Sequence, residues 1–220
     1  MPIHVLLADD DPLVRTGLRF LLDSTDDLVV VAEAGDGDEV LAAVRDTAVD
    51  VVLMDLRMPR RDGIAATRDV RAVSNPPHVI ALTTWDVDDA VMAALAAGAS
   101  GFLLKTASPD EIIGAIRSVM AGDAVLSPRS TRQLLDQLAR DPAVGQRRAA
   151  EASVGALTDR ERQVAVAVAH GLTNAAIGHQ LFMAEATVKS HIAAIQTKLG
   201  VANRVGVAVL AERAGLLRPA

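Results

Sequence analysis

The sequence predicts an α/β domain built on a parallel sheet, followed by a small all-helical domain. Three observations lead there. Over residues 1–121, short apolar runs alternate with longer amphipathic stretches. Several runs are continuous Val, Leu and Ile, as expected of strands covered on both faces. Beyond residue 153 the apolar spacing is helical throughout, and the charge balance changes sign: 15 basic against 24 acidic residues over 1–152, then 7 against 4 over 153–220. An acidic front and a basic tail suggest two domains with different partners, the tail being the candidate for nucleic acid.

The expected strands are Ile3–Ala8, Leu28–Ala34, Asp50–Asp55, His78–Thr83 and Gly101–Lys105. Between them, Leu13, Leu18, Leu21 and Leu22 keep helical spacing after Pro12, and Ile112, Ile113, Ile116 and Val119 do so after Pro109. Five strand–helix units of this size imply right-handed crossovers and a parallel sheet. Helix starts are marked by Asp11-Pro12, an N-cap before a first-turn proline. Asp36 to Glu39, Ser108 to Glu111 and Thr158 to Glu161 have capping-box spacing. Residues 122–153, with Pro128, Pro142 and Gly145, read as a linker carrying one helix from Pro128 to Arg140, which leaves 154–220 as the second domain.

Composition narrows the classes. There is no cysteine, which excludes disulfide frameworks and thiolate zinc sites. Aromatics are 2%, so the core must be aliphatic. No apolar run reaches the roughly 18 residues of a membrane span, and no signal-peptide pattern opens the chain. A soluble cytoplasmic protein without a membrane partner is expected. Of 22 basic residues only Lys105, Lys189 and Lys198 are lysine. Each is a candidate for a position where Arg will not serve.

Ligands of an open parallel sheet bind at the carboxyl ends of its strands. Strand one ends in Asp9-Asp10-Asp11, strand three in Asp55, strand four in Thr83-Thr84 and strand five in Lys105. Clustered carboxylates repel unless a cation joins them, and hard oxygen ligands suit Mg²⁺. With Lys105 and Thr83 on two oxygens of a phosphoryl group, this is a recipe for phosphoryl transfer by positioning and electrostatics. Asp55 is the natural nucleophile. Asp11, before Pro12, reads as a cap rather than a ligand, and Asp50 and Asp62 as caps or surface. Pro59 and Gly63 shape the loop after Asp55.

LLADDDP, VVLMDLRMPRRDG, IALTTWD and GFLLKTASPDEI together resemble the flavodoxin-like (βα)5 receiver domain of two-component response regulators, over about residues 3–121. The resemblance implies that Asp55 accepts a phosphoryl group from a sensor histidine kinase. It implies Mg²⁺ held by Asp9, Asp10, Asp55 and the backbone carbonyl of Arg57, with Thr83 and Lys105 on the phosphate. It makes Thr83 and Phe102 the switch pair. Phe102 lacks the hydroxyl of the usual Tyr, and plain core packing is the other reading of it. Arg57 and Trp85 are large neighbours of the acceptor and point to a long-lived phosphoryl state.

In the tail, Gly171-Leu172-Thr173 and Phe182-Met183-Ala184 separate three helical patterns, which suits a helix-turn-helix. The third puts Val188, Ile192, Ile195 and Leu199 on one face and leaves the other free for a major groove. This segment resembles the LuxR-type output domain of the NarL/FixJ regulators over about 155–217, at Leu157-Thr158, Arg160-Glu161, Gly171, Asn174, Ile177, Thr187-Val188-Lys189, His191 and Lys198-Leu199-Gly200. The resemblance implies DNA contacts from the helix bearing Thr187, Lys189, Ser190, Ala193 and Lys198, and a last helix near Arg204–Ala214 that commonly supplies a dimer contact. Ala184 replaces the usual N-cap Ser. His191 reads as structural.

The combined expectation is a phosphorylation-controlled transcription regulator that binds double-stranded promoter half-sites as a homodimer. It is no enzyme beyond its own phosphoryl transfer and dephosphorylation. A haloacid-dehalogenase-type phosphatase would also use Asp, Mg²⁺, Thr and Lys. It would put Thr or Val where Leu13 stands, leave Asp55 idle and leave the tail unexplained. A phosphorylation-independent DNA-binding protein with a vestigial receiver is the third reading, against which the full acid set argues.

Overall fold

Alternating side chains along each strand divide the N-terminal core into two faces. In the computed structural model, which describes residues 1–83, 88–123, 150 and 153–217, the strands are β1 (Ile3–Ala8), β2 (Leu28–Ala34), β3 (Val51–Asp55), β4 (His78–Thr83) and β5 (Gly101–Leu104). They pair in parallel in the order β2-β1-β3-β4-β5. Val5, Leu7, Val51, Leu53, Ile80, Leu82 and Leu103 share one buried cluster with α1 (Pro12–Asp23) and α5 (Pro109–Met120). Leu6, Ala8, Val52, Met54 and Val79 face the other way, onto α2 (Gly37–Asp46) and α3 (Gly63–Arg71). The period of two is what a strand covered on both sides requires. A fourth helix, α4 (Asp88–Ala96), buries Val91, Ala94 and Leu95.

The expected α/β class and five-strand parallel sheet are therefore the observed ones. The helix starts divide. Asp11 caps α1 by accepting from the Leu13 N–H at 2.8 Å, and Asp62 caps α3 through the Ala65 N–H at 2.8 Å. Ser108 and Glu111 exchange both capping-box bonds. Asp36 does not close a box with Glu39, although the spacing suits one. Its carboxylate instead accepts from the backbone N–H groups of Arg60 and Arg61, at 3.0 and 2.9 Å. That ties the loop after β3 to the start of α2. Asp50 is no cap either. It accepts from the His4 N–H at 2.8 Å and pins the β1 start.

The second body is helical: α6 (Asp159–Ala169), α7 (Asn174–Leu181), α8 (Glu185–Leu199) and α9 (Arg204–Arg213). Its core joins Val164, Val168, Ile177, Val188, Ile192, Ile195, Leu199 and Val207. Residues 121–123 group with this body. Thr158 and Glu161 form the expected capping box at α6. Gly178 makes the tight turn between α7 and α8 possible, since a Cβ there would lie 2.7 Å from the Met183 carbonyl oxygen. The expected linker helix from Pro128 to Arg140 lies outside the described residues. No described helix is long and apolar enough to cross a membrane.

Gly63 has the sharpest steric demand in the first body. A Cβ there would sit 2.0 Å from the Asp55 carbonyl oxygen. Gly17, inside α1, has open space around the same position. Gly63→Ala should destabilise by about 1–3 kcal/mol through overpacking. Gly17→Ala should stabilise by about 0.5–1 kcal/mol through helix propensity. Thermal unfolding of the two variants, compared with the parent, checks both signs.

Candidate functional site

Strands β1 and β3 are neighbours, but their connections leave the sheet in opposite directions, so a crevice opens at their carboxyl ends. Asp9 and Asp10 follow β1, and Asp55 ends β3. One carboxylate oxygen from each of the three lies within 4.8 Å of the others. Asp9 and Asp55 are buried and Asp10 is exposed. Lys105, just past β5, reaches into the cluster, with its Nζ 2.5 Å from Asp9 Oδ2 and 3.0 Å from Asp55 Oδ2. Burial pushes the Asp55 carboxyl above its usual pKa, and the hydrogen bond and charge of Lys105 only partly offset this. Burial also disfavours the Lys105 charge, but its hydrogen bonds to Asp9 and Asp55 outweigh that and hold the pKa above the usual lysine value.

The surrounding chain orders these groups. The Asp11 N–H donates to Asp9 Oδ1 at 3.0 Å, and the Arg57 N–H to Asp55 Oδ1 at 3.3 Å. The Lys105 N–H donates to the Thr83 carbonyl at 2.7 Å, joining the ends of β4 and β5. Thr83 is buried at that end. By strand alternation it shares a sheet face with Phe102, since Leu82 and Leu103 point to the other. Phe102 is among the fully buried side chains. Arg57 is exposed, and Trp85 lies outside the described residues.

Two contributors were not foreseen from the sequence. Arg15 donates from Nη1 to the Asp9 carbonyl at 2.6 Å and pairs through Nε with Glu33 at 3.1 Å. Asp36 holds the loop that carries Arg57, as described above. The spacing of neither residue reveals its partner.

In the helical body, α7 and α8 make the helix-turn-helix pair. Phe182, in the left-handed conformation, ends α7. The predicted apolar face of α8 is the buried one, Val188, Ile192, Ile195 and Leu199. Thr187, Lys189, Ser190 and Ala193 are exposed on the opposite side. Ala184 offers no side-chain cap to α8. Lys198 has a partner on another helix. Its Nζ lies 2.7 Å from Oε2 of Glu161, a buried carboxylate that also closes the α6 capping box. Its ammonium ties α8 to α6 while its side chain stays partly exposed.

The sequence matches the response regulator receiver domain over residues 5–117 and the luxR family of bacterial regulatory proteins over 155–211. The chain belongs to the response regulators with a LuxR-type output domain. It is 38% identical to the transcriptional regulatory protein LiaR of Bacillus subtilis, covering 96% of this chain and 97% of that one. It is 33% identical to the nitrate/nitrite response regulator NarL of Escherichia coli, covering 94% of each. Among solved structures, the response regulator ChrA of a heme-sensing two-component system is 37% identical, with 98% of each chain covered and a TM-score of 0.52. This response regulator is thus a phosphorylation-controlled DNA-binding transcription regulator, with a kinase and DNA as its partners.

The ion pair to Lys198 and the capping bonds from Thr158 hold the Glu161 carboxyl at about 2, against 4.5 for the free side chain. A carboxyl held down in the folded state stabilises fully above its unfolded pKa and loses that contribution as pH falls through the folded value. The helical body should therefore lose stability between pH 4.5 and about 2. Thermal unfolding followed by circular dichroism should show a shallower acid-range decline in Glu161→Gln than in the parent.

Proposed function

We propose that Asp55 accepts the phosphoryl group and that the phosphorylated chain binds paired DNA half-sites as a homodimer. The observation that carries the first part is the convergence of Asp9, Asp10 and Asp55 on one point, with the Lys105 ammonium bridging two of them. Three hard oxygen donors at this separation fit Mg²⁺. Asp9, Asp10, Asp55 and the Arg57 carbonyl would hold it, and its charge would neutralise oxygens of the transferring group.

The remaining work falls to the chain. An Asp55 carboxylate oxygen forms a bond to phosphorus as the P–N bond of a phosphohistidine donor breaks, and the imidazole leaves with the electron pair. Lys105, already charged, pairs with a phosphate oxygen as a compact point charge, where a forked guanidinium would crowd the metal. The Thr83 hydroxyl takes another oxygen. Phe102, buried on the same sheet face, is the aromatic that reports the change. A few kcal/mol of differential binding is enough to move such a two-state element.

Thr187, Lys189, Ser190 and Ala193 form the surface offered to DNA. Lys198 acts as a positioning residue through Glu161. Lys189 is then the one ammonium α8 offers, so a single copy neutralises few phosphates and two copies double the contacts. This favours a dimer as the binding form.

The test is retention of a promoter duplex with and without acetyl phosphate and Mg²⁺. Binding should tighten on phosphorylation, and Asp55→Ala should abolish the gain. Equal affinity in both states would refute phospho-control. Among the lysines, Lys105→Arg should remove the phosphorylation-dependent gain. Lys198→Arg should leave DNA affinity within about two-fold, since a guanidinium can make the same charge-assisted hydrogen bond to Glu161.

A further inference from the structure

A buried charge cluster in the helical body takes no part in the site described above. Its centre is Arg204, the first residue of α9 and only 8% exposed. The guanidinium donates to the Asn174 side-chain oxygen at 3.1 Å, to the Gly122 carbonyl at 3.3 Å and to the Leu172 carbonyl. Its closest anion is Asp123, with Nη1 2.7 Å from Oδ1. The same Asp123 oxygen accepts from the backbone N–H of Asn174, the first residue of α7, at 3.1 Å. The Asn174 amide donates to the Ala121 carbonyl at 2.9 Å and completes the hold on this short segment.

A buried guanidinium and a backbone N–H at a helix N-terminus therefore converge on one carboxylate oxygen, with the Asn174 side chain bracing the guanidinium. Those are the donors that recognise phosphate: a forked cation and an unpaired N–H at the positive end of a helix. Arg204 keeps its place whether or not Asp123 is present, because Leu172 and Asn174 also hold it. A buried guanidinium nonetheless requires an anion, since an uncompensated buried charge is strongly unfavourable. The carboxylate comes from residues 121–123 and not from the four helices. The position matters as well. In helix-turn-helix docking the first helix of the pair crosses the DNA backbone, and here that helix is α7. Residues 121–123 also lie beside the reading helix, since a Cβ on Gly122 would come within 4.0 Å of the Lys189 side chain.

We propose that Arg204, Asn174 and the α7 N-terminus form a binding site for a DNA backbone phosphate, and that Asp123 occupies it as an internal surrogate. The inference rests on the DNA-binding reading above. Departure of Asp123 opens the phosphate site beside the already exposed Lys189.

The test uses the full-length unphosphorylated chain and a 30-base-pair duplex of arbitrary sequence, titrated over a range of salt concentrations. Asp123→Ala and Asp123→Asn should both bind several-fold more tightly than the parent. The plot of log K against log salt should steepen by about 0.9 for the one phosphate gained per copy. Asp123→Asn keeps a polar partner for Arg204 and guards against unfolding, which circular dichroism monitors. The double variant Asp123→Asn/Arg204→Gln should lose the gain. If the folded Asp123 variants bind with the parent's affinity and salt slope while the parent itself binds duplex through Lys189, the inference falls and the DNA-binding reading stands. If no chain, phosphorylated or not, binds duplex at low salt, both fall.

Discussion

Three carboxylates whose oxygens reach within 4.8 Å of one another repel, and the Lys105 ammonium is what allows them to share one edge of the sheet. The remainder of the first body can be understood as the scaffold for that arrangement. The strand order puts β1 and β3 side by side, so the acids after one strand meet the acid ending the other. Strand β5 lies two places further along, far enough for a long side chain to reach back. Burial at the site sharpens the electrostatics in both directions. It drives the Asp55 carboxyl up and strengthens the interaction with Lys105 that opposes it. A site in this balance responds strongly to any group that brings its own charge.

Holding the balance requires that backbone groups keep their places. Arg15 fixes the Asp9 carbonyl, Asp36 captures two N–H groups of the loop after β3, and Gly63 lets that loop fold back on the Asp55 carbonyl. None of these touches a ligand. Each fixes the position of a group that would. The aliphatic core serves the same end, because Val, Leu and Ile packed on both faces of the sheet leave the strand ends little freedom.

The helical body follows the same rule with other residues. Among its described residues, the buried charges Glu161 and Arg204 each have an opposite charge within 2.7 Å. Glu161 is answered by Lys198 from another helix, which fixes the direction of α8 and so of the surface bearing Thr187, Lys189, Ser190 and Ala193. Arg204 is answered by a residue outside the four helices. The two pairs thus differ in origin, one lying between two of the helices and the other joining a helix to residues 121–123.

The sequence by itself determined the elements and the chemistry of the first site. The continuous apolar runs of β1, β3 and β4, the caps at Asp11 and Thr158, and the apolar face of α8 depend on neighbours within a few residues, which the local sequence records. The acid set was legible because the carboxyl ends of the strands in a parallel sheet share one edge. Only the tertiary structure decided how distant charges pair. Asp36 and Glu39 have the spacing of a capping box, but the Asp36 carboxylate is taken by N–H groups 24 and 25 residues away. Lys198 stands on the helix expected to read DNA, and Glu161, 37 residues earlier, holds it. Asp123 and Arg204 are 81 residues apart and nothing in their local pattern joins them. Helical and strand periods are fixed by local backbone geometry. The choice among opposite charges is fixed by which of them the folded chain brings into one dry place.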